Sequence, residues 1–408
     1  MLNFLQKFGI FCFLDNNEYE FDKSYECIAG AGIIHSITTP QSGNLSEITK
    51  FQSFHKDWIF GHLSYDIKNE IEDLQSSNPD GINFPKYFFF IPEIVFTITG
   101  NELRIGVYNT YYADDVYEQI IASTAEETWS YSSGNLENRF TKKEYIDTIK
   151  KLQEHILRGD CYEINFCQEF YINGAEIDPL FAYKKLTKFS PSPFAAFYKY
   201  NDKYLLCSSP ERFLKRTGNA IISQPIKGTA QRIANDVNAD NELKKDLLNN
   251  DKERSENIMI VDLVRNDLSR ICTEGSVFVK DFLRIYSFPH VHQMISTISG
   301  NLKNDISIAD IFSATFPMGS MTGAPKKRVM ELIEIYERTK RGLFSGTVGY
   351  INPEGDFDFN VVIRSILYNS QNKYLSIQAG SAITFKSDPE KEYEECLLKI
   401  AALRAIIE

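Results

Sequence analysis

The sequence predicts a mixed α/β (α+β) fold. Three observations carry this expectation. Residues 1 to about 125 are dense in aromatic and β-branched residues and poor in helical periodicity. From Thr141 onward, helical spacings alternate with short strand-like runs. The composition, 43% hydrophobic and 24% charged, is that of an ordinary globular chain with ample core. At 408 residues the chain exceeds one average domain, although large α/β folds use such a length as one unit. A Ser-, Asn- and Gly-rich stretch at Ser130–Asn138 is the candidate linker. It divides a strand-rich part, 1–130, from a second part, 138–408.

The N-terminal apolar run Phe8–Leu14 is followed by Asp15-Asn16-Asn17-Glu18 and not by a small-residue cleavage site, so it reads as a buried strand and not a signal. Tyr87–Gly100 contains Pro92 and Glu93 and is too short to span a bilayer. Phe60–Asp66 reads as a strand end with a turn. Thr141-Lys142-Lys143-Glu144 fits a capping box, Ile146, Ile149, Leu152 and Ile156 follow at helical spacing, and Gly159 suits the C-terminal cap. Cys161–Gln168 alternates like a strand.

Tyr204–Ser208 reads as a strand running into Ser209-Pro210-Glu211. Asn219–Ser223 is a second strand, ended by Pro225. A turn between these strands brings Glu211 to Lys227 if the register allows. Lys227 sits between Pro225 and Gly228. Taken alone, the motif is a surface turn with a solvated lysine. A rigid turn aiming Lys227 into a cleft is the sharper alternative; desolvation would then depress its pKa and free a nucleophilic amine.

Asp251–Arg270 is predicted helical, with Glu253 and Glu256 on one side at i, i+3 and Arg265-Asn266-Asp267 closing it. Gly319–Lys326 is a Gly/Ser/Thr loop leading into a helix, Lys327–Tyr336, with Pro325 suited to its first position. The spacing is not that of a P-loop. Gln378–Ile383 is a strand entering a turn, and a last helix starts near Ser387, carrying Glu392 and Glu395 at i, i+3 and Lys399 at i+4 from Glu395. Each acidic pair alone is a solvated helix face. Together the two pairs offer carboxylates of the kind Mg2+ takes.

A net charge of −11 and the absence of a basic run argue against nucleic acid as a partner, and no segment argues for a membrane. Seven scattered cysteines without C-x-x-C spacing imply reduced thiols and a cytoplasmic setting.

Gly159-Asp160-Cys161-Tyr162-Glu163, Ser209-Pro210-Glu211-Arg212-Phe213, Pro225-Ile226-Lys227-Gly228-Thr229, Asn257 to Asp267, Thr322-Gly323-Ala324-Pro325-Lys326 and the Glu-rich last helix occur in order. This set resembles the chorismate-utilising enzyme family of anthranilate, aminodeoxychorismate, isochorismate and salicylate synthases. The resemblance covers about residues 140 to 408. It implies antiparallel sheets packed on each other with helices outside, in two interleaved parts forming one unit. Anthranilate synthases generally carry Ala where this chain has Lys227. The water-adding members carry a base lysine where it has Glu163. The pair therefore resembles aminodeoxychorismate synthase component I, of para-aminobenzoate and folate synthesis. A Leu-Leu-Glu-Ser tryptophan-feedback element is not evident near Glu26-Cys27-Ile28-Ala29.

The resemblance implies Mg2+ held by Glu256 and Glu395, with Glu253 and Glu392 in support. Glu211 is implied as general acid for the departing 4-hydroxyl of chorismate, and Lys227 as the nucleophile at C2. Thr322, Tyr350, Arg364, Gly380, Ser381, Ala382, Gln293 and Lys399 are the implied substrate-binding residues. Ammonia is expected from a separate glutamine amidotransferase subunit or from solution. Two departures stand out. Gln293 occupies a position where the family usually has His, with His292 one residue earlier. Gly380-Ser381-Ala382 replaces Gly-Ala-Gly, adding a methyl where backbone meets ligand. These leave a weakened chorismate-binding regulatory subunit as an alternative of another class, beside an anthranilate-type or other aminase.

Overall fold

In the computed structural model the described residues are 1–19, 23–39, 45–108, 110–123, 134–233, 235–288 and 291–407. Among them the strands form two antiparallel sheets, of eleven and ten strands. The first runs from Gly323–Ala324 at one edge through Glu163–Asn173, Tyr374–Ile383, Ser365–Asn369, Lys203–Ser209, Phe194–Tyr200, Ile10–Asp15, Cys27–Ala31 and Ile94–Thr99 to Glu102–Val107. The second runs from Ile226–Gln231 through Val291–Asn301, Ala220–Gln224, Arg212–Thr217, Phe357–Asn360, Thr347–Ile351, Ile59–Leu63 and Tyr87–Ile91 to His35–Thr38.

Both sheets mix the two halves of the chain. Ile10–Asp15 pairs with Phe194–Tyr200, and Ile59–Leu63 pairs with Thr347–Ile351. The candidate linker lies partly outside the described residues; its last two, Glu137–Asn138, pair with Glu163–Asn173.

Strand alternation divides the apolar residues between two cores. Leu205 and Leu367 face an inter-sheet core with Phe60, Phe89, Val348, Phe359 and, from the helix Asp251–Ile271, Ile260 and Leu268. Leu206 and Ile366 point the other way, onto helices Lys142–Leu157, Pro179–Phe189, Lys326–Tyr336 and Pro389–Ile407. The first sheet is thus buried on both faces, which is why its strands read as near-continuous apolar runs. Helices cover its outer side, as the resemblance implied.

Local chemistry sets the helix ends. Thr141 and Glu144 form the predicted capping box, and Gly159 follows the helix at φ +82°. Two expectations shift. The N-terminal segment opens with a short helix, Leu2–Leu5, before the buried strand Ile10–Asp15. Pro325 is the N-cap, not the first helical residue, of Lys326–Tyr336. The acidic helix, expected over Asp251–Arg270, runs Asp251–Ile271, and Asp267 on it is buried against Lys326 Nζ at 2.7 Å. No helix among the described residues is long and apolar enough to cross a membrane. The seven cysteines are all buried and free.

Candidate active site

Glu211 and Lys227 meet because of sheet register. Arg212 pairs with Gln224, so Glu211 and Pro225 emerge side by side at one sheet end. Glu211 is buried, and its Oε1 accepts a 2.6 Å hydrogen bond from Ser320 Oγ. Burial pushes its carboxyl up to about 7, with the Ser320 bond and Lys227 opposing. A carboxyl there is protonated in useful fraction near neutrality, the condition for a general acid.

Lys227 lies within the strand Ile226–Gln231 rather than on a free turn; the ladder to Val291–Asn301 is irregular between Ile226 and Thr229. Its Nζ donates to Glu163 Oε1 at 3.3 Å, and its side chain is 11% exposed. The expected depression of its pKa is not found. Burial lowers it, but Glu163, Glu256 and Glu211 together outweigh burial and hold the ammonium above its ordinary value. Asn257 fixes the surrounding backbone: Oδ1 accepts from Ser296 Oγ at 2.6 Å and Nδ2 donates to Met294 O at 3.3 Å.

The two acidic helices face this lysine. Glu256 Oε1 and Glu392 Oε2 are buried without a hydrogen-bond partner among the described residues. Lys252 Nζ donates to Glu392 Oε1 at 2.9 Å and stands 3.8 Å from Glu256 Oε1. Burial pushes Glu256 up to about 8. Glu253 is raised by burial too, and its Oε2 would lie 3.2 Å from a Cβ added at Gly228, which places it against the lysine strand. Burial also pushes Glu395 up, but Lys399 at 2.7 Å brings it below its ordinary value. Among the described residues no three His, Cys, Asp or Glu side chains converge as a ready metal-binding group. The donor set nevertheless fits a hard cation: every donor is a carboxyl oxygen, and two of the buried ones lack a hydrogen bond among the described residues.

Other predicted residues fall at varied distances from this chemistry. Thr322 is buried, its hydroxyl donating to Met318 O at 3.2 Å, and it precedes Gly323–Ala324, which pair with Glu163 and Ile164. Gly380, Ser381 and Ala382 pair with Cys167, Phe166 and Asn165, and Lys399 Nζ donates to Gly380 O at 2.8 Å. The Gly380 methylene leaves room the neighbours use, since a Cβ there would sit 2.0 Å from Phe166 O. Arg364 has no carboxylate partner among the described residues, and burial lowers its pKa, so its charge is available to an anion. Gln293 is buried with Oε1 unpartnered. His292 cannot replace it: successive strand residues face opposite ways, and His292 is tied to Asp240 at 2.9 Å and Ser287 at 3.0 Å.

Tyr350 sits elsewhere. Its ring packs with Tyr25, Trp58 and Phe60, and it lines a separate cavity of about 60 Å3 with Asp15, Arg212 and Asp358.

The predicted site residues did not include Glu163, Ser320, Asn257 or Lys252. Glu163 carried a signal: an acid amid a strand pattern of buried residues is more informative than any exposed one. Ser320 and Asn257 act across 109 and 39 residues of sequence, a reach no local pattern reveals.

Residues 15–405 match the family model described as chorismate binding enzyme. Anthranilate synthase component 1 of Aquifex aeolicus is 31% identical, over 88% of this chain and 78% of its own length. Aminodeoxychorismate synthase component 1 of Bacillus subtilis is 30% identical, over 85% and 76%. The crystal structure of anthranilate synthase component I from Streptococcus pneumoniae matches the fold with a TM-score of 0.80, at 23% identity, over 96% of this chain and 93% of that one. The chain belongs to the chorismate-binding enzyme family. It is a chorismate-utilising enzyme whose relatives include both anthranilate and aminodeoxychorismate synthases.

Proposed function

We propose that the protein aminates chorismate to 4-amino-4-deoxychorismate, as its aminodeoxychorismate synthase relatives are named for doing. Overall similarity does not separate this reading from anthranilate formation, since the two kinds of relative are 30% and 31% identical. The observation that carries it is Lys227 itself, held in a buried cluster between Glu211 and Glu163. A lysine so placed is positioned to add to the substrate ring, whereas the anthranilate synthases that the sequence resembles generally have alanine there.

Protonated Glu211 gives its proton to the departing 4-hydroxyl, which leaves as water. Lys227 Nζ bonds to C2, the ring double bonds shift, and the C4–O bond breaks. Ammonia then bonds to C4, the double bonds shift back, and the lysine leaves. Ser320 orients Glu211, and the unpaired guanidinium of Arg364 suits a substrate carboxylate. Glu256 and Glu395, with Glu253 and Glu392, would hold Mg2+. When bound, the ion supplies positive charge for the ring carboxylate. The component 1 names of the relatives support a second subunit, and the reading takes that subunit to be the amidotransferase that supplies ammonia.

The test is product identification with chorismate, Mg2+ and ammonium, by mass spectrometry. The expected product is aminodeoxychorismate, convertible to para-aminobenzoate by an added lyase, and Lys227→Ala should lose most of it. Anthranilate as product, or full activity in the variant, would overturn the reading.

A further inference from the structure

Lys227 as an ammonium has no lone pair with which to attack. The surroundings hold it in that state: Glu163, Glu256 and Glu211 all favour its charge. Something at the site must take its proton. Glu163 is 1% exposed, a costly position for an acid. Its Oε1 receives the Lys227 hydrogen bond at 3.3 Å, while its Oε2 is buried with no partner among the described residues. A carboxylate left half-matched is a poor structural ion pair. It is a better base, because no second donor holds it ionised. Burial, the largest influence on it, and Glu392 both favour its protonated form, while Lys227 and Lys252 oppose. Its backbone is fixed on the side of the substrate loop: Tyr162 N donates to Ala324 O and Asn165 N to Thr322 O, each at 2.8 Å.

We propose that Glu163 is the proton acceptor for Lys227. The inference rests on the reading above, in which Lys227 adds to the ring. The Nζ–H bond breaks toward Glu163 as the freed lone pair forms the Nζ–C2 bond. When ammonia bonds to C4, the C2–N electrons return to the lysine nitrogen, and Glu163 gives the proton back. The ammonium formed at C4 gives one proton to Glu211, replacing the one lost to the departing hydroxyl. No oxidant or further reactant enters the cycle.

Glu163→Gln keeps the shape and one acceptor but cannot take a proton. Turnover is measured against pH for wild type, Glu163→Gln, Glu163→Asp and Lys227→Ala, with saturating ammonium and Mg2+. In Glu163→Gln the Lys227 ammonium loses the carboxylate that accepts its hydrogen bond and must give its proton to solvent, more readily as pH rises. Turnover should therefore fall about 10²- to 10⁴-fold with the KM for chorismate little changed. Between pH 6 and 7 it should climb with pH, where wild type begins to decline. Glu163→Asp, which retains a carboxylate, should recover part of the rate without that slope. A Glu163→Gln enzyme with wild-type turnover and profile, beside an inactive Lys227→Ala, would overturn this role and leave the lysine-adduct reading standing. Undiminished Lys227→Ala would overturn both. Should Glu163→Gln not fold, a Glu163→Asp enzyme with the new slope would overturn the proposal.

Discussion

The serine beside the acid gives the sharpest handle on the chemistry. In Ser320→Ala the 2.6 Å hydrogen bond to Glu211 Oε1 is lost. Hydrogen bonds to charged groups are worth about 1.5–3 kcal/mol. That bond stabilises the carboxylate, so its loss disfavours ionisation. At about 1.36 kcal/mol per pH unit, the Glu211 pKa should move up by roughly one to two units from its value near 7. In its proposed role as general acid, Glu211 works protonated. Wild-type turnover should therefore decline as pH rises through about 7, and in the variant the decline should begin roughly one to two units higher. The assay is the pH profile of kcat/KM for chorismate, with each enzyme normalised to its own maximum. An alkaline limb that stays in place, or moves to lower pH, would refute the assignment of Glu211 as the acid held by Ser320. Stability gives a second readout. The folded pKa of Glu211 lies above that of an unfolded glutamate, so its contribution is fully present below about 4.3 and lost as pH rises through about 7. Ser320→Ala should extend that loss to higher pH in thermal melts taken across the window.

Two further predictions follow from the geometry. Gly323→Ala places a Cβ 2.1 Å from Glu163 O on a backbone at φ +136°; it should cost at least ~1–3 kcal/mol, lower the melting temperature and depress turnover. Lys252→Met removes the ammonium from Glu392 and Glu256, so Mg2+ measured by calorimetry should bind more tightly; unchanged or weaker binding would mean that the carboxylates do not serve the ion.

What could be read in the sequence was what local rules govern. The capping box at Thr141 needs only Glu144, three residues on, and the structure forms it. Glu253 and Glu256 share a helix side by spacing alone. The approach of Glu211 to Lys227 was conditional, because it depends on the Arg212–Gln224 register, which no single strand encodes. The raised pKa of Lys227 went unforeseen for the same reason: the carboxylates that reverse the effect of burial come from residues 163, 211 and 256. The surroundings of Tyr350 were not legible in its motif. Its strand, Thr347–Ile351, alternates, and the phenol faces the aromatic cluster of Tyr25 and Trp58. Gln293 and His292 were separable only once the partners of His292 were seen.

The interleaving of the sheets ties the last segments of the chain to much earlier ones. Glu163–Asn173 pairs with Tyr374–Ile383, and Glu392 and Glu395 ride on Pro389–Ile407. A chain emerging from the ribosome therefore holds Glu211 and Lys227 long before it holds Glu392 and Glu395. Nascent chains should stay inert until these last segments dock, with sheet edges waiting for partners some 200 residues away in the case of Glu163–Asn173. A chain released before Tyr374 would leave Glu163–Asn173 without this partner strand and expose an unpaired edge to its neighbours.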